Sequence, residues 1–216
     1  MNTSLTQSSY FGAPYFTDQL LRSSTPKLSY FRIFAAMNTS LYNQPYMIIL
    51  GLGNPLDEHA LTPHNAGRLV VETLVKNDGL SFKHDRVYNA RIAKGTLADR
   101  EVLYMLPETY MNASGQSLAP LLKNDTSLEN LIVMYDDIDL PMGTIKISYD
   151  RGDGGHNGLK SIIATTGTRA FLRIRIGVCP VDEEGILRKP PTHERVGSYL
   201  LSPMSKREQD IIATVS

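Results

Sequence analysis

The chain has 216 residues, 42% of them hydrophobic, with 22 basic side chains balancing 22 acidic ones. That is enough for one cored domain, or one domain and a tail, and zero net charge excludes tight, unspecific nucleic-acid binding, leaving only a local basic patch. No apolar run reaches the length of a membrane-spanning helix, and the lone Cys179 excludes an intramolecular disulfide and any cysteine-built metal site.

Residues 1–46 differ in composition from the rest. They are rich in Ser, Thr, Asn, Gln and Tyr, and Arg22, Lys27 and Arg32 face only Asp18. The remainder then holds 19 basic and 21 acidic residues, a net of −2. Ser23-Ser24-Thr25-Pro26 breaks any helix there, and no hydrophobic period is sustained. We read this stretch as a low-complexity, disordered extension. Its scarcity of acids favours a mitochondrial transit segment slightly over a cytoplasmic protein with a plain tail, although its arginine supply is thin for a transit segment. Met37-Asn38-Thr39-Ser40-Leu41 repeats the first five residues, so Met37 is an alternative start.

From Met47 onward strands and helices alternate. Met47 to Leu52 reads as a buried strand ended by Gly53-Asn54-Pro55, and Ala66 to Lys76 carries apolar residues at helical spacing. Tyr88, Ala90 and Ile92 alternate as a strand, and Val102 to Leu106 supplies another. Asn112 to Leu122 is expected as a helix, Leu131 to Tyr135 and Thr144 to Tyr149 as strands, and Asn157 to Thr166 as a helix. Leu172 to Val178 is a strand, leading to Cys179 as a buried thiol, and short helices are expected at 193–201 and 203–213. The fold class is therefore α/β, with a central sheet over 47–216 covered by helices on both faces.

Polar side chains collect in four loops at strand ends, where sites in such sheets form. They are Asn54 with His64, then Tyr110-Met111-Asn112, then Asp136 to Asp139, then Gly154-Gly155-His156-Asn157. An imidazole such as His64 titrates near neutrality and can act as a base, and Asp136 is the natural carboxylate to fix its tautomer. Asn54, Asn112 and Asn157 can donate to a developing oxyanion. The same residues have structural uses: His64, Asn112 and Asn157 as helix caps, Asp136 and Asp139 as turn formers. Spacing alone does not separate the two readings. His84 and His193 read as surface residues. Neither a G-x-S-x-G elbow nor an H-E-x-x-H zinc motif occurs, which favours attack by water without a metal.

Together the loops carry a resemblance. Ile48 to Pro55 with His64-Asn65-Ala66-Gly67, Thr109 to Gly115, Asp136 to Gly143 and Gly154 to Lys160 resemble, in order and spacing, the signatures of bacterial-type peptidyl-tRNA hydrolases. The resemblance implies a single α/β domain with a mixed sheet, monomeric and without cofactor or metal. It implies hydrolysis of the ester joining a peptide to the terminal ribose of tRNA, which recycles tRNA after abortive translation. His64 matches the catalytic base and Asp136 its orienting carboxylate. Asn54 matches the position that distinguishes N-blocked from free aminoacyl groups. His59, Tyr110, Asn112 and Asn157 match substrate-contacting positions. Lys146, Lys160, Arg173 and Arg175 are candidates for a phosphate-binding patch.

The chain departs from the pattern in places. His59 stands where the family commonly has Tyr, Asp150 and Asp153 make the glycine loop less basic, and relatives continue past the position of Ser216. The rival readings are a non-catalytic RNA-binding relative, of the kind that serves as a group II intron splicing factor, and an unrelated hydrolase of small esters. The presence of Asn54, His64, Asn112 and Asp136 together argues for the enzyme, since a scaffold has no need of all four.

Overall fold

Strand β1, Tyr46–Gly51, sends Met47 and Ile49 to one side and Ile48 and Leu50 to the other, and all four are buried. A strand buried on both faces belongs in the middle of a sheet with helices above and below. The computed structural model describes residues 46–55, 59–97, 99–123 and 130–215, so the expectations for residues 1–45, including a start at Met37, lie outside the described residues.

After β1 come a 3-10 turn at Pro63–Asn65 and helix α1, Ala66–Asn77. Strands β2 (Lys83–Asp85), β3 (Ala90–Leu97) and β4 (Arg100–Pro107) form an antiparallel meander. A 3-10 helix at Met111–Leu118 runs into the short α2, Ala119–Lys123. Next are β5 (Leu131–Pro141), β6 (Ile145–Tyr149), α3 (Asn157–Thr166) and β7 (Leu172–Cys179). Helices α4 (His193–Leu200) and α5 (Lys206–Ala213) complete the described chain. Ser205 opens α5 with a capping box, its hydroxyl accepting from the Glu208 amide while the Glu208 carboxylate takes the Ser205 amide.

The described strands form one sheet in the order β2-β3-β4-β1-β5-β7-β6. The four central strands are parallel, and the outer pairings β2–β3, β3–β4 and β6–β7 are antiparallel, so the sheet is mixed. One face packs Met47, Ile49, Ile132, Met134 and Ile174 under the buried side of α1, with Ile212 and Val215 added from the C-terminal end. The other packs Ile48, Leu50, Leu131 and Val133 under Met111, Leu118, Leu121, Leu159 and Ile162.

Most expected elements are present, with three differences. Tyr88 lies in a turn rather than a strand, because the hairpin turns at Asn89 in a left-handed conformation (φ 45°) and β3 starts only at Ala90. The partner strand β2 is too short and too exposed to leave a periodic signal. The segment from 111 begins as a 3-10 helix rather than an α-helix.

Strand order reverses at β1, whose neighbours β4 and β5 lie on opposite sides. The crevice at the carboxyl end of such a strand is where α/β sheets place their ligands. Pairing of β1 with β5 ends at Gly51 and Met134, so Asp136 stands two residues past the last pair, where no β1 backbone flanks it. Packing beneath this crevice is tight. A methyl group on Gly67 would sit 2.2 Å from the Met134 carbonyl oxygen, so only glycine lets α1 approach β5 this closely.

Candidate active site

His64 occupies the 3-10 turn that leads into α1, and Pro63 before it fixes the turn's entry. Its Nδ1 lies 2.9 Å from Asp136 Oδ1, across 72 residues of sequence. Asp136 is almost fully buried at 3% exposure. A carboxylate in that position accepts a hydrogen bond from the ring, so Nδ1 carries the hydrogen and the Nε2 lone pair is left as a base. Burial alone would lower the His64 pKa, but the charge of Asp136 and its hydrogen bond outweigh burial, and the ring's pKa lies above the ordinary imidazole value. Burial would raise the Asp136 pKa, yet the pull of His64 and then His156, by charge and hydrogen bonding, holds the carboxyl far below the usual carboxylate range.

A second imidazole, which the sequence reading passed over, completes the arrangement. His156 Nε2 sits 2.9 Å from the same oxygen of Asp136. Its Nδ1 accepts from the amides of Gly158 and Leu159 at 3.1 and 3.4 Å, which makes His156, and not Asn157, the N-cap of α3. Because Nδ1 accepts those amides, the ring proton resides on Nε2 and is donated to Asp136. His156 therefore has no free basic nitrogen, while His64 has one. The two rings lie 5.0 Å apart by centroid, and Tyr135 meets His156 edge-on at 5.1 Å. The signal available in sequence was position alone, at the end of a glycine loop and directly before a helix.

Asn54 follows β1 and is buried. Its backbone amide donates to Asn65 Oδ1 at 2.8 Å and its carbonyl accepts from Asn65 Nδ2 at 3.0 Å, which ties it to the residue beside His64. The Met111 amide donates to Asn54 Oδ1 at 2.9 Å. That fixes which end of the carboxamide is oxygen, and leaves Nδ2 as a donor without a partner among the described residues.

The remaining expected positions lie at the rim. Tyr110 is 59% exposed and caps the 3-10 helix by its extended backbone. Asn112 and Asn157 are both exposed, and neither is an N-cap. His59 is half-buried at the start of a turn, where its carbonyl accepts from the Thr62 amide and hydroxyl. His84 and His193 are exposed and Cys179 is buried.

The phosphate-patch expectation fails for two of its four members. Arg173 is fully buried, and its guanidinium donates to the Gly152 and Arg151 carbonyls while stacking over Phe171 at 4.6 Å. Arg175 is 8% exposed and paired with Asp137 at 2.6 Å. Both lie on β7 facing the α3 side, where alternation alone cannot tell a solvated from a covered position. Lys146 and Lys160 are exposed.

Ligand atoms, one each from His64, Asp136 and His156, lie within 4.8 Å of one another, and two imidazoles with a carboxylate are an acceptable set for a divalent ion. An ion there would have to displace both hydrogen-bonding protons from Asp136. As it stands, the carboxylate accepts a hydrogen bond from each imidazole.

A basic imidazole nitrogen braced from behind by a buried carboxylate is suited to general-base chemistry. Comparison with known proteins narrows the class. The model of the family Peptidyl-tRNA hydrolase matches residues 48–216. The chain is 37% identical over 170 residues to the peptidyl-tRNA hydrolase of Mycobacterium sp. (strain KMS), covering 78% of this chain and 84% of that protein. It is 37% identical over 169 residues to that of Syntrophotalea carbinolica, covering 78% and 83%. The crystal structure of peptidyl-tRNA hydrolase from Acinetobacter baumannii superposes with a TM-score of 0.68 at 34% identity, over 78% of this chain and 82% of that one. The chain belongs to the peptidyl-tRNA hydrolase family.

Proposed function

We propose that this chain hydrolyses the ester between a peptide, or an N-blocked aminoacyl group, and the terminal ribose of tRNA, so recycling tRNA from abortive translation. The observation that carries the reading is the His64 Nδ1–Asp136 Oδ1 contact of 2.9 Å, which leaves His64 Nε2 unprotonated and available to water. A water molecule attacks the ester carbonyl carbon as His64 Nε2 takes its proton. The carbonyl oxygen becomes an oxyanion, stabilised by amide donors that include Asn54 Nδ2, the end of that carboxamide not engaged by Met111. The bond to the ribose oxygen breaks, and that oxygen takes the proton back from His64. Asp136 keeps the ring in one tautomer and stabilises the imidazolium in between.

Asn54 also selects for blocked substrates in this reading. A free α-amine carries a positive charge at neutral pH, and seating it against an N–H donor leaves that charge unpaired. His59, Tyr110, Asn112 and Asn157 form the substrate-contacting rim, and exposed Lys146 and Lys160 meet RNA phosphates. The protein acts as a monomer, in mitochondria or in the cytoplasm, the acid-poor, Ser- and Thr-rich stretch 1–46 favouring mitochondria slightly. Among the described residues no helix is long and apolar enough to cross a membrane.

The test is a comparison of N-acetyl-aminoacyl-tRNA with unblocked aminoacyl-tRNA and a small free ester. Rapid cleavage of the blocked tRNA ester alone is expected. Binding without cleavage would make the chain an RNA-binding relative, and equal turnover of free esters would make it a general esterase.

A further inference from the structure

We infer that Arg68 is a positioning residue for this hydrolysis: its guanidinium clamps the segment after β4 onto α1 and thereby fixes which end of the Asn54 carboxamide faces the substrate. The inference rests on the ester-hydrolase reading of the site. Arg68 falls on the apolar face of α1, between Ala66 and Val70, where a charge is costly unless it is fully paired.

The structure pairs it in three directions. Arg68 Nη1 donates to the Pro107 carbonyl at 2.9 Å, and Nη2 donates to Glu108 Oε1 at 2.6 Å. Nε lies 3.5 Å from Glu72 Oε1, which also accepts from Arg91 Nη1 at 3.0 Å. Two cations and two carboxylates thus close a neutral group linking α1, β3 and the carboxyl end of β4. The side chain of Arg68 is only 7% exposed, so solvent screens these contacts weakly. The aliphatic stem is used as well. A methyl group on Gly53 would sit 2.7 Å from Arg68 Cβ, so the stem lies flat against the residue preceding Asn54. The Arg68 amide donates to the Leu52 carbonyl at 2.9 Å.

One residue therefore touches all three segments that set Asn54. Below it are Leu52 and Gly53, beside it is the helix that follows His64, and across from it are Pro107 and Glu108. From Glu108 the chain runs three residues to Met111, whose amide holds Asn54 Oδ1 at 2.9 Å. If the segment from 107 to 111 swings away, Asn54 loses that donor. Its carboxamide can then rotate and present oxygen where it had presented N–H. An oxygen there no longer stabilises an oxyanion, and it welcomes a free ammonium group. The loss should therefore fall on turnover and on the preference for blocked substrates together.

Three variants test this: Arg68→Met keeps the stem, Arg68→Lys keeps the charge without the fork, and Glu108→Gln keeps an acceptor without the charge. Each is assayed for kcat and KM on N-acetyl-aminoacyl-tRNA and unblocked aminoacyl-tRNA, with thermal melting as a folding check. For Arg68→Met we expect kcat to fall about 10- to 100-fold, the cost of ångström-scale misplacement, with a smaller blocked-to-unblocked ratio. The midpoint of the pH–rate profile should stay in place, because the His64–Asp136 pair does not touch Arg68. Glu108→Gln should retain most activity, and Arg68→Lys should fall between. If Arg68→Met does not fold, the other two carry the comparison. Kinetics and substrate ratio unchanged in all folded variants, with only the melting temperature lowered, would reduce Arg68 to a structural ion pair and overturn the inference. Nuclear magnetic resonance of the Asn54 side-chain amide gives a reading independent of activity. Its resonances should move in Arg68→Met, and unmoved resonances would overturn the inference even if the parent protein proved not to cleave tRNA esters.

Discussion

His64 and His156 share one carboxylate oxygen at the same distance, yet only His64 has a lone pair to offer. Their roles differ because α3 requires a cap and His156 Nδ1 supplies it. His64→Ala is expected to lower the rate by about 10²- to 10⁴-fold, the usual worth of a general base, in a protein that still folds; a variant that retained full activity would remove the base. The neutral ring is the working form, so the rate should rise with pH to a midpoint above the ordinary imidazole value of 6.5. Asp136→Asn removes the charge that stabilises the imidazolium, so the midpoint should move down while the rate falls. His156→Ala does the opposite to the midpoint. With one donor gone, the whole carboxylate charge bears on His64 and the midpoint should move up. A pH–rate series on the two variants checks the signs, and shifts in the same direction would break the account. Stability follows the same linkage. Asp136 contributes above its unfolded value of 3.8, and the contribution is lost as pH falls through its depressed folded value. The His64 contribution is present below 6.5 and is lost as pH rises through the raised folded value.

At the level of elements, the site depends on how closely α1 lies against β1 and β5. Gly67→Ala places a methyl group 2.2 Å from the Met134 carbonyl, backbone against backbone, with no flexible side chain to give way. Overpacking of this kind costs about 1–3 kcal/mol, and here it also pushes the helix start that carries His64 away from Asp136. A urea titration and an activity assay on the same sample should both show a loss. Normal activity in a destabilised protein would mean that the helix start is not rigidly coupled to the base. The cap at His156 is the second such joint. Removing a helix cap costs about 1 kcal/mol, so His156→Ala should combine a modest drop in stability with the pH shift.

Over the whole molecule, the central strands are buried on both faces and their side chains carry most of the stability. Leu50 is fully buried, and Leu50→Ala should cost about 2–5 kcal/mol in chemical denaturation. The charge distribution makes a different prediction for RNA. Arg173 is enclosed with its guanidinium on two backbone carbonyls, so Arg173→Met should destabilise the fold and leave the salt dependence of tRNA affinity unchanged. Lys160→Ala, at an exposed position on α3, should reduce the salt slope by about 0.7–0.9. A slope altered by the first variant and not by the second would reverse the assignment.

Hydrophobic period, turn residues and loop order are local properties, and from them the sequence alone determined the sheet, the helices on both its faces, and the placing of His64, Asp136 and Asn54 in separate loops; that His64 meets Asp136 across 72 residues is tertiary. Tertiary structure decided the rest, because it joins positions far apart in the chain. The second imidazole on Asp136 depends on how α3 docks across the end of β5. The burial of Arg173 and Arg175 depends on the loop at 151–152 and on Asp137, and alternation along β7 is the same whether a face is wet or covered. The clamp at Arg68 depends on a carboxylate 40 residues away, which helical spacing cannot anticipate.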